Sequence, residues 1–221
     1  MVAPFAPRLD ILPRPQQALW PELATTPADF TLYGGTAIAL RLGHRPSADF
    51  DFFSAVAFDP AILMARVPYL RDGQIRQSAA STLTCTVERG ETVQLSFFGG
   101  LSLGQVAPAE PVEGPAFAVA ALIDLGGMKA AVVTQRAETK DYLDIHALMT
   151  IGHIGLPEML AAAAVIYGAP FNPLLSLKAI AYHGDLSALP ASVRRDLDAA
   201  VRRVDPDRLP ALPTIRPWQR P

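Results

Sequence analysis

The chain has 221 residues, half of them apolar, enough to bury a sizeable core. Charged residues make up 18% and the formal net charge is −2, which excludes a strongly basic nucleic-acid coat protein and an acidic disordered chain. The single cysteine, Cys85, excludes an intramolecular disulfide and a cysteine-based zinc site, so the fold needs no oxidising compartment and a cytoplasmic location is expected.

The N-terminal stretch "MVAPFAPRLDILPRPQQ" has neither the basic start nor the unbroken apolar core of a secretory leader. It reads as a proline-punctuated arm leading into a short helix near Gln16 to Leu23. No run of about 18 residues is apolar throughout, so no membrane span is expected. Phe30 to Tyr33 is a short β-favouring run that halts at Gly34-Gly35, and "TAIALRLG" then has good helix formers up to Gly43. This predicts strand, tight turn, helix. After the loop "HRPSA", residues Asp49 to Phe53 alternate acid and aromatic, the pattern of a strand with one polar face. Asp59-Pro60 opens a helix expected over Ala61 to Tyr69, because Asp caps and Pro suits the first turn. The Thr- and Val-rich stretch "QIRQSAASTLTCTVERGETVQLSFFGG" predicts a β-hairpin turning at Glu88 to Glu91.

A loop, "QVAPAEPVEGPAF", separates this half from a helical one. Helices are expected from Ala121 to near Arg136, Thr139 to Met149, Pro157 to Ile166, Pro173 to Tyr182 and Ser192 to Val204. The tail "DPDRLPALPTIRPWQRP" is expected to be extended. There is no internal repeat. The order predicts an α+β fold divided into an arm with a short helix (1–29), an α/β core (30–115), a helical region completing a cleft (116–204) and a Pro-rich tail (205–221).

The chemistry concentrates in "LYGGTAIALRLGHRPSADFDFF". Side chains two apart on a strand share a face, so Asp49 and Asp51 lie side by side while Phe50 and Phe52 face the core. Two carboxylates roughly 7 Å apart repel by about 2 kcal/mol at an effective dielectric near 20. In a cleft that arrangement calls for a counter-charge, and a magnesium ion held by one or two carboxylates and by substrate phosphates suits it. An isolated D-x-D also serves as the plain polar face of an edge strand. A Gly-Gly turn can likewise be there for backbone freedom alone, or because it lets a phosphate approach the backbone, with the helix N-terminus and Thr36 as donors. Together, a Gly-Gly turn opening a helix and a D-h-D strand 14 residues later suit a nucleoside triphosphate.

"GGTAIALRLGHRPSADFDFF" resembles the signature of the nucleotidyltransferase superfamily related to DNA polymerase β. More narrowly, the "GGTA" start, the "GHR-S" spacer and "DFDFF" resemble the AbiEii/AbiGii-type nucleotidyltransferase toxins. "MKAAVVTQRAETKDYLDIHAL" is similar to a second element of that family, here Lys129, Arg136, Lys140, Asp141 and Asp144. The resemblance spans residues 30 to 183. It implies a polymerase β-like core, magnesium (or manganese), a nucleoside triphosphate substrate, a hydroxyl acceptor such as RNA or tRNA, and a cognate antitoxin. On this basis Asp49 and Asp51 hold the metal, and Gly34, Gly35, Thr36 and Ser47 cradle phosphates. Arg45 and Lys129 neutralise charge, and Asp141 is a base or orienter. Read without the family, Lys129 is equally a snorkelling lysine, and Asp141 and Asp144 equally charge the first turn of a helix.

Many polymerase β-like enzymes place a third carboxylate on a neighbouring strand. The corresponding run here, "TVQLSFF", offers Ser96 and no acid. That departure keeps open a second reading, a non-catalytic nucleotide- or partner-binding protein. His44 stands beside Arg45 in the loop before the aspartates, while His146, His153 and His183 have no metal-ligand spacing and are expected to be structural. The arginines of the last helix are interleaved with aspartates, as on a solvated face.

Overall fold

The computed structural model describes residues 3–184 and 186–216. Among them are a seven-stranded mixed sheet and eight α-helices, an α+β architecture as expected. The chain divides into two compact units, one of residues 1–102 and 109–120, the other of residues 103–108 and 121–221.

The first unit is built on the sheet. Its strands are β1 (Thr31–Tyr33), β2 (Asp49–Phe53), β3 (Gln74–Ala79), β4 (Thr82–Glu88), β5 (Thr92–Phe98), β6 (Glu110–Pro111) and β7 (Ala118–Val119), in the spatial order β3-β4-β5-β2-β1-β7-β6. The pairs β2/β5 and β1/β7 are parallel and the others antiparallel. Strand β2 alternates as its sequence predicts, with Phe50 and Phe52 fully buried and Asp49, Asp51 and Phe53 on the other face. Phe52 stacks on Phe97 at 5.1 Å and meets the edge of Phe117 at 5.1 Å, so β2 is seated by its aromatic side.

Short helices frame this sheet: α1 (Arg14–Leu19), α2 (Gly34–Leu42) and α3 (Pro60–Arg66). The expected helix at Gln16 to Leu23 is α for its first part only. Pro21 removes a backbone donor, and residues 20–25 continue as a 3-10 turn. The Asp59 carboxylate caps α3 by accepting from Ala61 N (2.8 Å) and Ile62 N (3.1 Å). That helix ends at Arg66, short of the expected Tyr69, because Pro68 pushes Val67 to an extended conformation. The expected hairpin is a three-stranded meander. The β4/β5 turn falls where predicted, but a second turn at Ala80-Ser81 carries neither glycine nor proline and so left no signal. The expected loop of residues 105–117 contains β6.

The second unit is helical: α4 (Leu122–Val132), α5 (Thr139–Thr150), α6 (Leu156–Tyr167), α7 (Pro173–Ala181) and α8 (Ala191–Arg203). A Cβ on Gly127 would lie 2.8 Å from the backbone at Ala162 and Ala163, so glycine permits the close approach of α4 and α6. The buried Asp124 accepts from Val106 N (2.9 Å) and Ala107 N (3.0 Å), which ties residues 103–108 to α4; burial pushes its pKa up. Helix α4 ends at Val132, earlier than the expected Arg136. His146 contacts Asp196 at 2.9 Å and His183 contacts Asp198 at 3.0 Å, so both histidines hold α8. Of the expected extended tail, residues 205–216 lack regular structure apart from a bridge between Arg216 and Gln105, and 217–221 lie outside the described residues. Among the described residues no helix is long and apolar enough to cross a membrane.

Candidate functional site

Strand β1 runs straight into α2 at Gly34, whose φ of +76° places it in the left-handed region. Tyr33, at the N-cap position, makes no side-chain capping bond to α2. The first-turn N–H groups of Gly34, Gly35 and Thr36, with no intrahelical partners, form the positive end of a nine-residue helix, a setting that favours an anion. Tyr33 pairs with Asp51 across β1/β2, which brings Asp51 alongside this turn. An added Cβ on Gly34 would lie 2.5 Å from Asp51 Oδ2, so the carboxylate occupies the space that a side chain would take. Asp49, two residues earlier, shares its face.

The residues between α2 and β2 are fixed by buried hydroxyls. Thr36 donates its hydroxyl to the Asp49 carbonyl, and Thr36 Oγ1 and Ser47 Oγ lie 2.9 Å apart. Thr36 has a single hydroxyl hydrogen, which it directs toward two acceptors, the Asp49 carbonyl and Ser47 Oγ. Ser47 is 9% exposed. Arg45 Nη1 donates to Pro46 O at 2.9 Å. Gln16, in α1, donates through Nε2 to the carbonyl of Ala48.

Strand β5 lies parallel to β2 in a register that sets Gln94 against Asp49 and Ser96 against Asp51. The neighbouring-strand position is thus filled by Ser96, 5% exposed. Glu88 and Glu91 cannot stand in, since Glu88 pairs with Thr92, four residues or about 13 Å along β5 from Ser96. Beyond Asp51 on the same face, Phe53 stacks on Tyr33 at 4.8 Å and meets the edge of Phe98 at 5.3 Å.

In the helical unit, Lys129 on α4 is 7% exposed and its amine is 2.6 Å from Asp141 Oδ1 and 2.7 Å from Asp144 Oδ2, both acids being fully buried on one face of α5. Arg136, in the turn between these helices, brings Nε to 3.1 Å from Asp141 Oδ2. Both oxygens of Asp141 therefore meet cations. Asp144, equally a helix-charging or a site residue by its sequence, lies about as close to Lys129 as Asp141 does. Its spacing of three residues from Asp141 was the available signal. Lys140 points to Glu138 at 2.9 Å instead.

Among the described residues no group of three or more His, Cys, Asp or Glu is placed to hold a metal. The pair Asp49 and Asp51 supplies hard oxygen donors beside a cradle that a Cβ would fill. That donor set fits a magnesium ion completing its shell with water and substrate phosphate, not a closed protein cage.

The family described as nucleotidyl transferase AbiEii toxin, type IV TA system, matches residues 22–219. The chain is 31% identical over 123 residues to the uncharacterized protein aq_aa25 of Aquifex aeolicus (strain VF5), covering 55% of this chain and 58% of that relative. A crystal structure of a nucleotidyltransferase candidate from H. pylori aligns over 84% of this chain and 94% of its own, with a TM-score of 0.47 and 19% identity.

Proposed function

The chain belongs to the AbiEii nucleotidyl transferase toxin family of type IV toxin–antitoxin systems, and we propose that it transfers a nucleoside monophosphate from a triphosphate to a hydroxyl acceptor. The observation that carries this reading is the fit of Asp51 against the Gly34 turn at the start of α2, with Asp49 beside it. In it a helix N-terminus suited to an anion lies beside two carboxylates suited to a cation, within a single compact unit.

In this reading Asp49 and Asp51 hold a divalent cation, magnesium or manganese. The bound ion would neutralise charge on the triphosphate and act as a Lewis acid. The amides of Gly34, Gly35 and Thr36 receive phosphate oxygens, and Arg45 and the Ser47 hydroxyl adjoin them. The acceptor oxygen forms a bond to the α-phosphorus while the α–β phosphoanhydride bond breaks. Pyrophosphate leaves, and the hydroxyl proton passes to a base. The family resemblance assigns charge neutralisation to Lys129 and proton transfer or orientation to Asp141. Support for Lys129 is its buried, preorganised amine, whereas the cations on both oxygens of Asp141 favour an orienting role over a free base. RNA or tRNA is the proposed acceptor, in the cytoplasm, and the family's toxin–antitoxin setting implies an antitoxin partner.

Ser96 opposite Asp51 favours the second reading, nucleotide or partner binding without transfer. One experiment decides: incubation with magnesium, each labelled triphosphate and total RNA. Label transfer by the wild type that disappears in Asp49→Ala and Asp51→Ala supports the enzyme. Nucleotide binding without transfer to any acceptor supports the second reading.

A further inference from the structure

We infer that Gln16 is a positioning residue for Asp49, supplied by a segment that lies ahead of the family-matched residues 22–219. The inference rests on the reading of Asp49 as a metal ligand.

The direction of the Asp49 Cα–Cβ bond follows from the orientation of the peptide planes before and after it. Both planes are held by buried side chains from outside the sheet. The plane before Asp49 contains the Ala48 carbonyl, which accepts from Gln16 Nε2. The plane after it contains the Asp49 carbonyl, which accepts from Thr36 Oγ1. Gln16 and Thr36 are 3% and 1% exposed, so both donors are held away from bulk water. With both planes clamped, the Cα–Cβ bond that carries the carboxylate is aimed before a metal arrives, and aiming a ligand in advance raises its affinity.

The burial of Gln16 is otherwise hard to account for. Its Oε1 is buried with no hydrogen-bond partner among the described residues, so the amide is desolvated at both ends for one bond. An apolar side chain of the same size would fill the position at less cost. Nor is α1 a loose end. Leu19 is fully buried, the neighbouring Gln17 donates to Leu12 O at 2.7 Å, and the arm ahead is tied by Arg8 N to Leu40 O at 2.8 Å.

The test compares wild type, Gln16→Leu, Gln16→Met and Asp49→Ala by Mn2+ titration with electron paramagnetic resonance, alongside thermal melting and the metal dependence of label transfer. Both apolar variants should melt at or above the wild-type temperature yet bind Mn2+ about tenfold more weakly, the lower end for lost support of a ligand. Saturating Mn2+ should restore their maximal rate, a change in metal affinity and not in kcat. Two variants of different shape guard against one failing to fold. Wild-type Mn2+ affinity in a folded apolar variant, with binding lost only in Asp49→Ala, overturns the role of Gln16 alone. A wild type that binds no Mn2+, or Asp49→Ala that binds as wild type, overturns the metal-site reading and this inference with it.

Discussion

Gly34 and Asp51 are mutually exclusive with any larger residue at position 34: an added Cβ would lie 2.5 Å from Asp51 Oδ2 and 3.3 Å from its Cγ, on a backbone at φ +76°. Gly34→Ala should therefore lose about 1–2 kcal/mol from the left-handed backbone alone. The displaced carboxylate should cost more in Mn2+ binding than the fold loses in stability. Urea denaturation and Mn2+ titration on one preparation check both, and unchanged Mn2+ affinity would contradict the placement of Asp51 in the site.

The Lys129 amine lies against two fully buried acids, Asp141 and Asp144. Lys129→Met should destabilise by about 3–5 kcal/mol, since two buried acids lose this cation. Denaturant unfolding measures this. A variant that keeps wild-type stability while losing label transfer would assign the amine to the reaction and not to the packing of α4 on α5.

Ser96 occupies the strand position beside Asp51. Adjacent strands lie about 4.8 Å apart, so Ser96→Asp would put a third carboxylate within reach of the same cation. In chelator the variant should be less stable than wild type by about 1–3 kcal/mol, from a buried, unpaired acid. Added Mn2+ should raise its melting temperature by more than it raises the wild type's. Equal increments in the two proteins would place the metal elsewhere.

Cys85 is fully buried on the core face of β4, and burial pushes its thiol from 9.0 up to about 11. At pH 8 the native protein should resist alkylation, with reaction following the unfolded fraction. The sign of the pH effect follows from the raised value: the folded state holds the proton more tightly, so this contribution is complete below pH 9 and is lost as pH rises toward 11. Melting curves of wild type and Cys85→Ala across that range check it, and the difference between them should shrink as pH rises.

Much of the fold was legible because local chemistry writes it. The alternation in "DFDFF" specified which side of β2 is aromatic, and Asp59-Pro60 specified where α3 begins. The misread boundaries have local causes too. Pro21 and Pro68 altered helices that were expected to run past them, and Ala80-Ser81 turned a strand without glycine or proline.

By itself the sequence determined that a glycine turn opens a helix and that two acids share one strand face, since both follow from spacings of a few residues. Tertiary structure decided which residues distant in sequence meet within each unit. Gln16 reaches Ala48 across 32 positions, and Lys129 meets Asp141 across 12. Ser96 stands beside Asp51 only through the parallel register of β5 on β2. Such partnerships depend on strand register and helix packing, which are set by burial of the whole core, so no periodicity near either partner records them.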